Sequence, residues 1–303
     1  MSFTSTVKNE LSKLELEKIE KVSLLSAILK NSATIDKSIK VSTENSSLAR
    51  HIFTLIKDLY SITPKITVRK GYNYNKNLIY ILEIKEKKDV IIEDLSLDKI
   101  IPEDYILDDD SLTRVYLRGV FLSCGSINDP KKSRYHLEFI VNEEEYANYI
   151  KDKLNIYYLN SKVIRRDNRY MIYVKEAEKI GDFLRMIGAI NALLYFEDIR
   201  IYRDHKNMTN RLNNCEQANV DKIIATAESQ LKDIELIESI GGLDLLDDKS
   251  KVAAIYRKKY KEASLTELSE IISMETDDKI TKSGLHHRFN KIKKLANKIK
   301  DNK

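Results

Sequence analysis

The stretch Tyr-Leu-Arg-Gly-Val-Phe-Leu-Ser-Cys-Gly-Ser, residues 116–126, has a weaker copy in Leu-Ser-Ala-Ile-Leu-Lys-Asn-Ser-Ala, residues 25–33. Both stretches combine apolar residues with a small residue at the matching position, Gly119 in one and Ala27 in the other. A small residue on a helix lets a second backbone approach closely, so the pair predicts two helices that cross in close contact. Ordinary tight core packing explains these residues equally well and implies no chemistry.

The same order of elements surrounds both stretches, which indicates a duplication. In the first half we predict helices near 3–18, 21–31 and 47–60, and strands near 35–41, 65–70 and 78–84. In the second half we predict helices near 112–123, 143–155 and 176–187, and strands near 134–141, 162–166 and 169–174. The proposed equivalent pairs are Ala27 with Gly119, Lys65 with Lys162, and Tyr80 with Met171, and an acidic, irregular stretch at 93–110 separates the halves. Antiparallel hairpins with interleaved helices predict an α+β fold.

Composition narrows the class of protein. With 303 residues the chain can form two domains, and its net charge of +5 is too small for a general polycation argument. The two cysteines, Cys124 and Cys215, have no metal-ligand spacing, so we expect neither a metal site nor a disulfide. The sequence has only eight glycines and no phosphate-loop motif, so we expect no nucleotide cofactor. The start of the sequence lacks a signal peptide, and no apolar run could span a bilayer, so a cytoplasmic protein with no membrane contact is expected.

Residues 263–295 predict a pair of helices joined by a turn. Ser264 and Glu267 form a capping box at the start of the first helix. Thr281 can cap the second helix, on which Leu285 and Phe289, followed by Ile292 and Ile299, recur at helical spacing. Such a pair is typical of a helix-turn-helix.

The opposite face of the second helix carries polar and basic side chains. The candidate DNA-binding residues are Lys282, Ser283, His286, His287, Arg288, Asn290, Lys291 and Lys294. Hydroxyl, imidazole and amide groups can contact base edges in the major groove, and cations can contact phosphates. A solvated basic helix without a partner is the alternative, and the capping box and turn favour DNA binding over it.

In a duplicated α+β unit, the paired stretches resemble the LAGLIDADG helices of homing endonucleases. In that family each helix ends in a carboxylate that holds a catalytic metal ion. The matching positions here are Ser32 and Cys124, neither of which supplies a carboxylate. Asp36 and Asp129 follow a few residues later, and relocation of the acids to them is the less favoured alternative. We therefore expect a retained scaffold with no catalytic or metal residues.

A degenerate LAGLIDADG domain followed by a helix-turn-helix resembles the WhiA family of bacterial regulators. The resemblance is carried by motifs at 2–11, 117–130, 210–219, 233–238, 263–268 and 282–288, in the family's order. Two positions depart from the family pattern. The turn at 273–279 is longer than usual, and His286 stands where the family usually has Asn.

This resemblance implies a sequence-specific DNA-binding transcription regulator, linked to sporulation, cell division and chromosome segregation and located at the nucleoid. The expected domains are a LAGLIDADG-like domain at 1–210 with repeats at 1–92 and 111–205, a linker helix at 211–242, and a helix-turn-helix at 243–303 similar to that of sigma factors. The expected partner is promoter DNA, with a sigma factor or RNA polymerase as a further candidate. Two alternatives stay open. One is a working Mg²⁺-dependent endonuclease, and the other is a scaffold that docks a sigma factor or RNA polymerase.

Two further groups of polar residues are candidates for weaker roles. On the predicted sheet, the candidate secondary DNA contacts are Lys162, Arg165, Arg166 and Arg169. Before and within the linker helix lie Asn207, Asn210, Arg211, Asn213, Asn214 and Asn219. These amides could contact phosphates, but because they carry no charge we favour a structural role, in which they satisfy buried backbone groups at the domain junction. We expect Cys215 nearby to be a small buried residue.

Overall fold

The computed structural model describes residues 2–71, 78–132 and 134–301. These residues divide into a first unit, Met1–Arg203, and a second unit, Asp204–Lys303. In the part that is described, no helix combines the length and hydropathy that crossing a membrane requires.

The first unit contains the predicted duplication. Its first half comprises α1 (Phe3–Leu11), α2 (Lys18–Ser32), β1 (Ala33–Ile35), β2 (Ile39–Thr43), α3 (Ser46–Tyr60), β3 (Lys65–Lys70), β4 (Leu78–Ile84) and α4 (Lys88–Asp94). After a 3-10 turn at Asp104–Leu107, the second half comprises α5 (Asp110–Cys124), β5 (Gly125–Ile127), β6 (Leu137–Val141), α6 (Glu144–Ile156), β7 (Lys162–Arg166), β8 (Arg169–Val174) and α7 (Ala177–Met186). The antiparallel sheets have matching orders, β1-β2-β4-β3 and β5-β6-β8-β7, which confirms the α+β duplication.

The registers of the two sheets test the proposed equivalences. Lys65 faces Glu83 and Lys162 faces Tyr173 at the same place in the two sheets, so that pair is supported. Thr43 faces Tyr80, whereas its counterpart Val141 faces Tyr170. The equivalent of Tyr80 is therefore Tyr170, and the proposed match to Met171 was wrong by one residue. In a strand, a shift of one residue moves a side chain to the other face of the sheet.

Helices α2 and α5 cross at the centre of the first unit. A Cβ atom placed on Gly119 would lie 2.6 Å from the Cβ of Ala27 and 2.7 Å from the backbone oxygen of Leu24. Only glycine leaves room for this approach, so the predicted close crossing is confirmed. One continuous apolar core, including Leu24, Ile28, Leu117 and Phe121, joins both halves of the unit.

Several predicted bounds were wrong for local reasons. The first helix ends at Leu11 and not near residue 18, because a new helix begins after Glu17, whose carboxylate and that of Glu20 form a capping box. The strand predicted at 35–41 is the hairpin β1-β2, which turns at Asp36–Ser38. Likewise, the strand predicted at 134–141 starts only at Leu137, and β5 before the turn was missed. The stretch 93–110, predicted as irregular, contains the end of α4 and the 3-10 turn.

Helix α1 ties together segments that are far apart in sequence. The Thr4 hydroxyl donates to the Ile127 carbonyl at 2.8 Å and accepts from the Ile127 N–H at 3.0 Å, so α1 covers part of the edge strand β5. The Glu10 carboxylate accepts from the backbone N–H groups of Asn191 and Ala192, at 2.7 and 3.0 Å, at the start of the next helix. An acid at this position satisfies backbone donors that a helix start leaves free.

That next helix, α8, extends over Ile190–Gly241 and has residues in both units. The predicted linker helix at 211–242 therefore starts earlier than expected. Its predicted end is confirmed, since Gly242 follows with a φ of 75°, which glycine adopts readily.

The second unit is helical. After a 3-10 turn at Leu243–Leu245 come α9 (Asp248–Lys259), α10 (Leu265–Glu275) and α11 (Lys282–Asp301). Helices α10 and α11 are the predicted pair, and α9 was not predicted. The core of this unit consists of Ile234, Ile237, Ala253, Ala254, Leu268, Ile272, Leu285, Phe289, Ile292 and Ala296.

Candidate nucleic-acid interface

The start of α10 is held by the predicted capping box. The Ser264 hydroxyl accepts from the Glu267 N–H at 3.2 Å, and the Glu267 carboxylate accepts from the Ser264 N–H at 2.7 Å. The backbone hydrogen bond from Ser264 keeps the pKa of Glu267 below its usual value, because it favours the charged carboxylate. The cap fixes where α10 begins and thereby the direction in which it approaches α11.

The turn between α10 and α11 is ordered by side chains. The Ser273 hydroxyl accepts from the Ile280 N–H at 3.0 Å and lies 3.2 Å from its carbonyl. The Thr276 hydroxyl accepts from the Asp278 N–H at 3.2 Å. Thr281 caps α11 as predicted, since its hydroxyl accepts from the Gly284 N–H at 3.2 Å. These contacts give the longer turn a defined conformation.

Arg288 holds this turn and is poorly placed to contact a phosphate. Its guanidinium donates to the Asp278 carboxylate at 2.6 Å and to the Lys249 carbonyl at 3.3 Å, and 11% of its side chain is exposed. Helical spacing placed Arg288 near the outer face, but the acid of the folded turn is not visible in the spacing. We therefore reassign Arg288 from phosphate contact to positioning of α11 against its turn.

The other candidates lie on the exposed side of α11. Its buried residues are Leu285, Phe289, Ile292 and Ala296. The exposed candidates are Lys282, Ser283, His286, His287, Asn290, Lys291 and Lys294. An amphipathic helix with its apolar stripe in the core presents its polar side chains outward in a fixed orientation. That orientation is what a helix needs to enter the major groove.

Neighbouring elements border the exposed face of α11. On one side, His286 and Asn290 line a groove of about 500 Å³ together with Thr226 and Asp233 of α8. On the other side, the Lys291 ammonium lies 3.2 Å from the Asp247 carboxylate, with both side chains about half exposed. Among the described residues, Lys282 and Lys294 have no ion-pair partner. Their charges are therefore available to an anionic partner.

Arg257 packs against the buried side of α11 and was not among the predicted site residues. Its guanidinium donates to the Gln230 side chain at 3.0 Å and to the Ala263 carbonyl at 2.5 Å, and it lies 5.5 Å from the Phe289 ring centre. The side chain is almost fully buried, and burial lowers its pKa. Arg257 joins α8, the start of α10 and α11. Arg257 lies on α9, which was not predicted. The sequence signal for that helix was Asp247, a residue type that favours a helix start, and its carboxylate accepts from the Ser250 N–H at 2.8 Å.

The open face of the second sheet carries part of the predicted basic patch. Val163 and Ile172 face the core, so alternation places Lys162, Arg166 and Arg169 on the opposite, exposed face. Arg165 pairs with Tyr170, which packs against the core, and therefore points to the other side. Arg165 is exposed as well, but it lies on the other side of the sheet, so the four candidates do not form one surface.

The equivalent face of the first sheet is also basic but includes one acid. Lys65 and Arg69 lie on it by alternation. Glu83 lies among them, 3.7 Å from the Lys40 ammonium and 4.0 Å from that of Lys85. A hydrogen bond from Ser38 and these lysines hold the pKa of Glu83 below its usual value. An ionised glutamate among the cations limits attraction to phosphate.

Ser32 and Cys124, which were predicted to correspond to the metal-binding acids of homing endonucleases, are the last residues of α2 and α5. The Ser32 hydroxyl donates to the Ile28 carbonyl at 2.6 Å, and burial raises the pKa of the Cys124 thiol to about 11. The Lys8 ammonium lies 5.7 Å from the Phe121 ring centre, and burial lowers its pKa to about 8. In the described residues, no three His, Cys, Asp or Glu side chains cluster as metal ligands would.

The two acids that follow these positions, Asp129 and Asp36, both lie in turns. The Asp129 carboxylate accepts from the Lys131 N–H at 2.9 Å, which forms the turn predicted before Pro130. Asp36 is exposed in the β1-β2 hairpin, where its N–H donates to the Ser38 carbonyl at 3.2 Å.

The asparagines and the arginine predicted to satisfy buried backbone groups at the domain junction lie on the surface of α8. All six of its residues, Asn207, Asn210, Arg211, Asn213, Asn214 and Asn219, are exposed on the helix. A continuous helix satisfies its own backbone, so the predicted structural role for these amides was wrong. The prediction of a buried Cys215 was also wrong, because that residue is exposed.

Together, the duplicated α+β unit and the capped helix pair define a class of protein that joins a LAGLIDADG-like domain to a helix-turn-helix. Family models agree. Residues 19–98 match the WhiA N-terminal LAGLIDADG-like domain, residues 113–206 the WhiA LAGLIDADG-like domain, and residues 209–296 the WhiA C-terminal HTH domain. The chain belongs to the WhiA family.

Its relatives match along their whole length. The probable cell division protein WhiA of Oceanobacillus iheyensis is 43% identical over 312 residues, which cover 99% of this chain and 98% of the relative. That of Bacillus cytotoxicus is 42% identical over 314 residues, with the same coverage. The crystal structure of full-length WhiA from Thermotoga maritima matches with a TM-score of 0.59 and 27% identity, covering 98% of this chain and 99% of that one.

Proposed function

We propose that this protein is a sequence-specific, double-stranded-DNA-binding transcription regulator whose reading element is α11. The observation that carries this proposal is the orientation of that helix. Its apolar stripe is buried in the core of the second unit, while seven polar and basic candidates lie exposed on it. A helix-turn-helix that presents such a face binds DNA by placing it in the major groove.

The side chains of α11 divide by chemistry. Ser283, His287 and Asn290 offer donors and acceptors for base edges, with His286 at the groove beside α8. Lys282, Lys291 and Lys294 supply charge for phosphates, which fixes the helix on the duplex without reading sequence. Arg288 acts indirectly, by holding the turn through Asp278.

The sheets of the first unit add a weaker contact in this proposal. Lys162, Arg166 and Arg169 on the exposed face favour salt-sensitive binding without sequence preference. We further propose that the first unit does not cleave DNA, since a serine and a cysteine stand at the metal-binding positions. The relatives carry the name of cell division proteins, and genes of that process are the proposed targets.

In vitro selection from a pool of random duplexes tests the proposal. The full-length protein should enrich a defined sequence, and Lys282→Ala/Lys294→Ala should weaken binding to every duplex in the pool. Failure to enrich any sequence would overturn the proposal. A protein-docking role would be indicated instead if the double variant kept full regulatory activity in cells and formed a stoichiometric complex with a sigma factor without DNA.

The same purified protein should leave supercoiled plasmid intact in Mg²⁺ or Mn²⁺. The Asp129→Ala variant distinguishes nicking by this protein from nicking by a contaminating nuclease. Nicking by the unaltered protein that disappears in this variant would show that displaced acids still support catalysis.

A further inference from the structure

One face of α8 carries a row of exposed amides. At about 100° per residue, an arc of about 120° holds Lys206, Asn207, Asn210, Asn213, Asn214 and Gln217. Arg211 lies about 40° beyond one edge of this arc. We call these seven residues the amide face. All of them belong to the second unit.

The charge around the amide face favours an anionic partner. From 205 to 215 the helix has two permanent cations, Lys206 and Arg211, and no acid. The nearest acids are Asp204 before this segment and Glu216 after it. Because amides alone bind phosphates weakly, the two cations supply the attraction and the amides are free to select.

Helix stability does not explain the amides. Asparagine is among the less favourable residues in a helix interior, since its side chain competes for backbone hydrogen bonds. Within the described residues, Asn207, Asn210, Asn213 and Asn214 make no side-chain hydrogen bond, and all four are exposed. The Gln217 amide, at the end of the face, donates to the Asp221 carboxylate at 2.8 Å. Residues that are unfavourable for the local secondary structure are expected where a surface has a function.

The segment also has room for a large partner. Every residue from 204 to 226 is exposed, so no other element of the second unit covers it. A lone helix fits into the major groove of a DNA duplex, and the eleven residues from Asn207 to Gln217 extend about 15 Å along it. Asparagine and glutamine amides pair with adenine in that groove through one donor and one acceptor.

We propose that the amide face is a second base-reading surface, which inserts α8 into a major groove and selects adenines next to the sequence read by α11. This inference rests on the proposed function, because it presupposes a DNA target site. Asn210 and Asn214, one helical turn apart at the middle of the face, are the residues most directly involved.

The experiment compares amides on opposite sides of the same helix. Random-duplex selection is carried out with the full-length protein, with Asn210→Ala/Asn214→Ala, and with Asn219→Ala. Asn219 is exposed like the other two but lies on the opposite face of α8, so it is a chemically matched control. Alanine raises helix propensity, and circular dichroism checks that each variant keeps its helix content.

The unaltered protein and Asn219→Ala should enrich the same site. The double variant should lose base preference at a subset of adenine positions, by about tenfold or more at each, and keep the positions read by α11. Chemical interference at the adenine N7 atoms of those positions should reduce binding of the unaltered protein and not of the double variant.

Each other outcome overturns the inference in a distinguishable way. If the unaltered protein enriches no site, the proposed function fails and the inference fails with it. If the double variant enriches the same site with unchanged preferences, only the inference fails. Preference of the amide face for RNA, seen as amide-dependent enrichment from an RNA pool in place of DNA, would assign the surface to a different partner.

Discussion

Asn290 and Lys294 lie close together on the exposed face of α11 but should contribute differently to binding. Asn290→Ala should reduce discrimination between the selected site and a scrambled one by about 1–3 kcal/mol, because an amide that reads a base is lost. Lys294→Ala should instead weaken both complexes equally and lower the salt slope by about 0.9. Gel-shift titrations at several salt concentrations measure both effects. Unchanged discrimination in Asn290→Ala would show that this amide does not read bases.

His51 on α3 predicts a pH dependence of stability for the first unit. Its Nε2 atom is buried and has no hydrogen-bond partner among the residues that the structure describes. Burial, with the Arg118 and Lys21 charges, lowers the pKa of His51 to about 4. Between pH 6.5 and about 4, the unfolded state therefore binds a proton that the folded state does not, and stability falls as the pH falls. This effect contributes up to roughly 3 kcal/mol.

Urea denaturation from pH 7 to pH 4 measures this dependence. In His51→Gln the loss of stability over that range should be smaller than in the unaltered protein, because no imidazole remains to be protonated. Equal slopes for the two proteins would show that carboxylates alone cause the acid sensitivity.

Among the elements, the crossing of α2 and α5 leaves the least room for change. Gly119→Ala should destabilise the first unit by about 1–3 kcal/mol, since the added methyl group overlaps Ala27 and the Leu24 backbone. Gly284→Ala on α11 is the matched control. There the new Cβ atom meets no backbone atom and lies 3.3 Å from the Ile280 Cγ1 atom, which has to shift by only a few tenths of an ångström, and the higher helix propensity should stabilise the second unit by up to about 1 kcal/mol. Thermal unfolding compares the two, and opposite signs are expected.

The strands that sequence analysis located correctly are those with enough residues to show a pattern. The bounds of β3, β4, β7 and β8 agree with the prediction, because turn residues flank runs of five to seven strand formers. The three-residue strands β1 and β5 are too short to show alternation and were merged into their neighbours or missed.

In the candidate interface too, only features that repeat along the sequence could be predicted. The inner face of α11 was predictable, since Leu285, Phe289 and Ile292 repeat at helical spacing. The pairing of Arg288 with Asp278 was not, because it depends on the path of the turn between them. Arg257 was missed for a related reason, as a buried arginine acquires its role from carbonyl groups that only the folded chain brings together.

At the scale of the molecule, the two units have separate apolar cores. A fragment of residues 204–303 should therefore fold alone and retain most of the sequence preference. A fragment of residues 1–203 should bind DNA far less tightly and without preference, with strong sensitivity to salt. Footprinting of the selected site with each fragment measures this division. A specific footprint from residues 1–203 alone would reverse the roles of the units.

The contacts of α1 have a consequence for the order of events during synthesis. Thr4 and Glu10 find their partners at Ile127 and at Asn191, which leave the ribosome long after α1 does. At 5–20 residues per second, α1 waits roughly 10–40 s for the second of these partners. During that interval Phe3, Val7 and Leu11 have no complete core to enter. The nascent chain therefore exposes the apolar face of α1 for much of its synthesis, and ribosome-bound chaperones should associate with it until the start of α8 emerges.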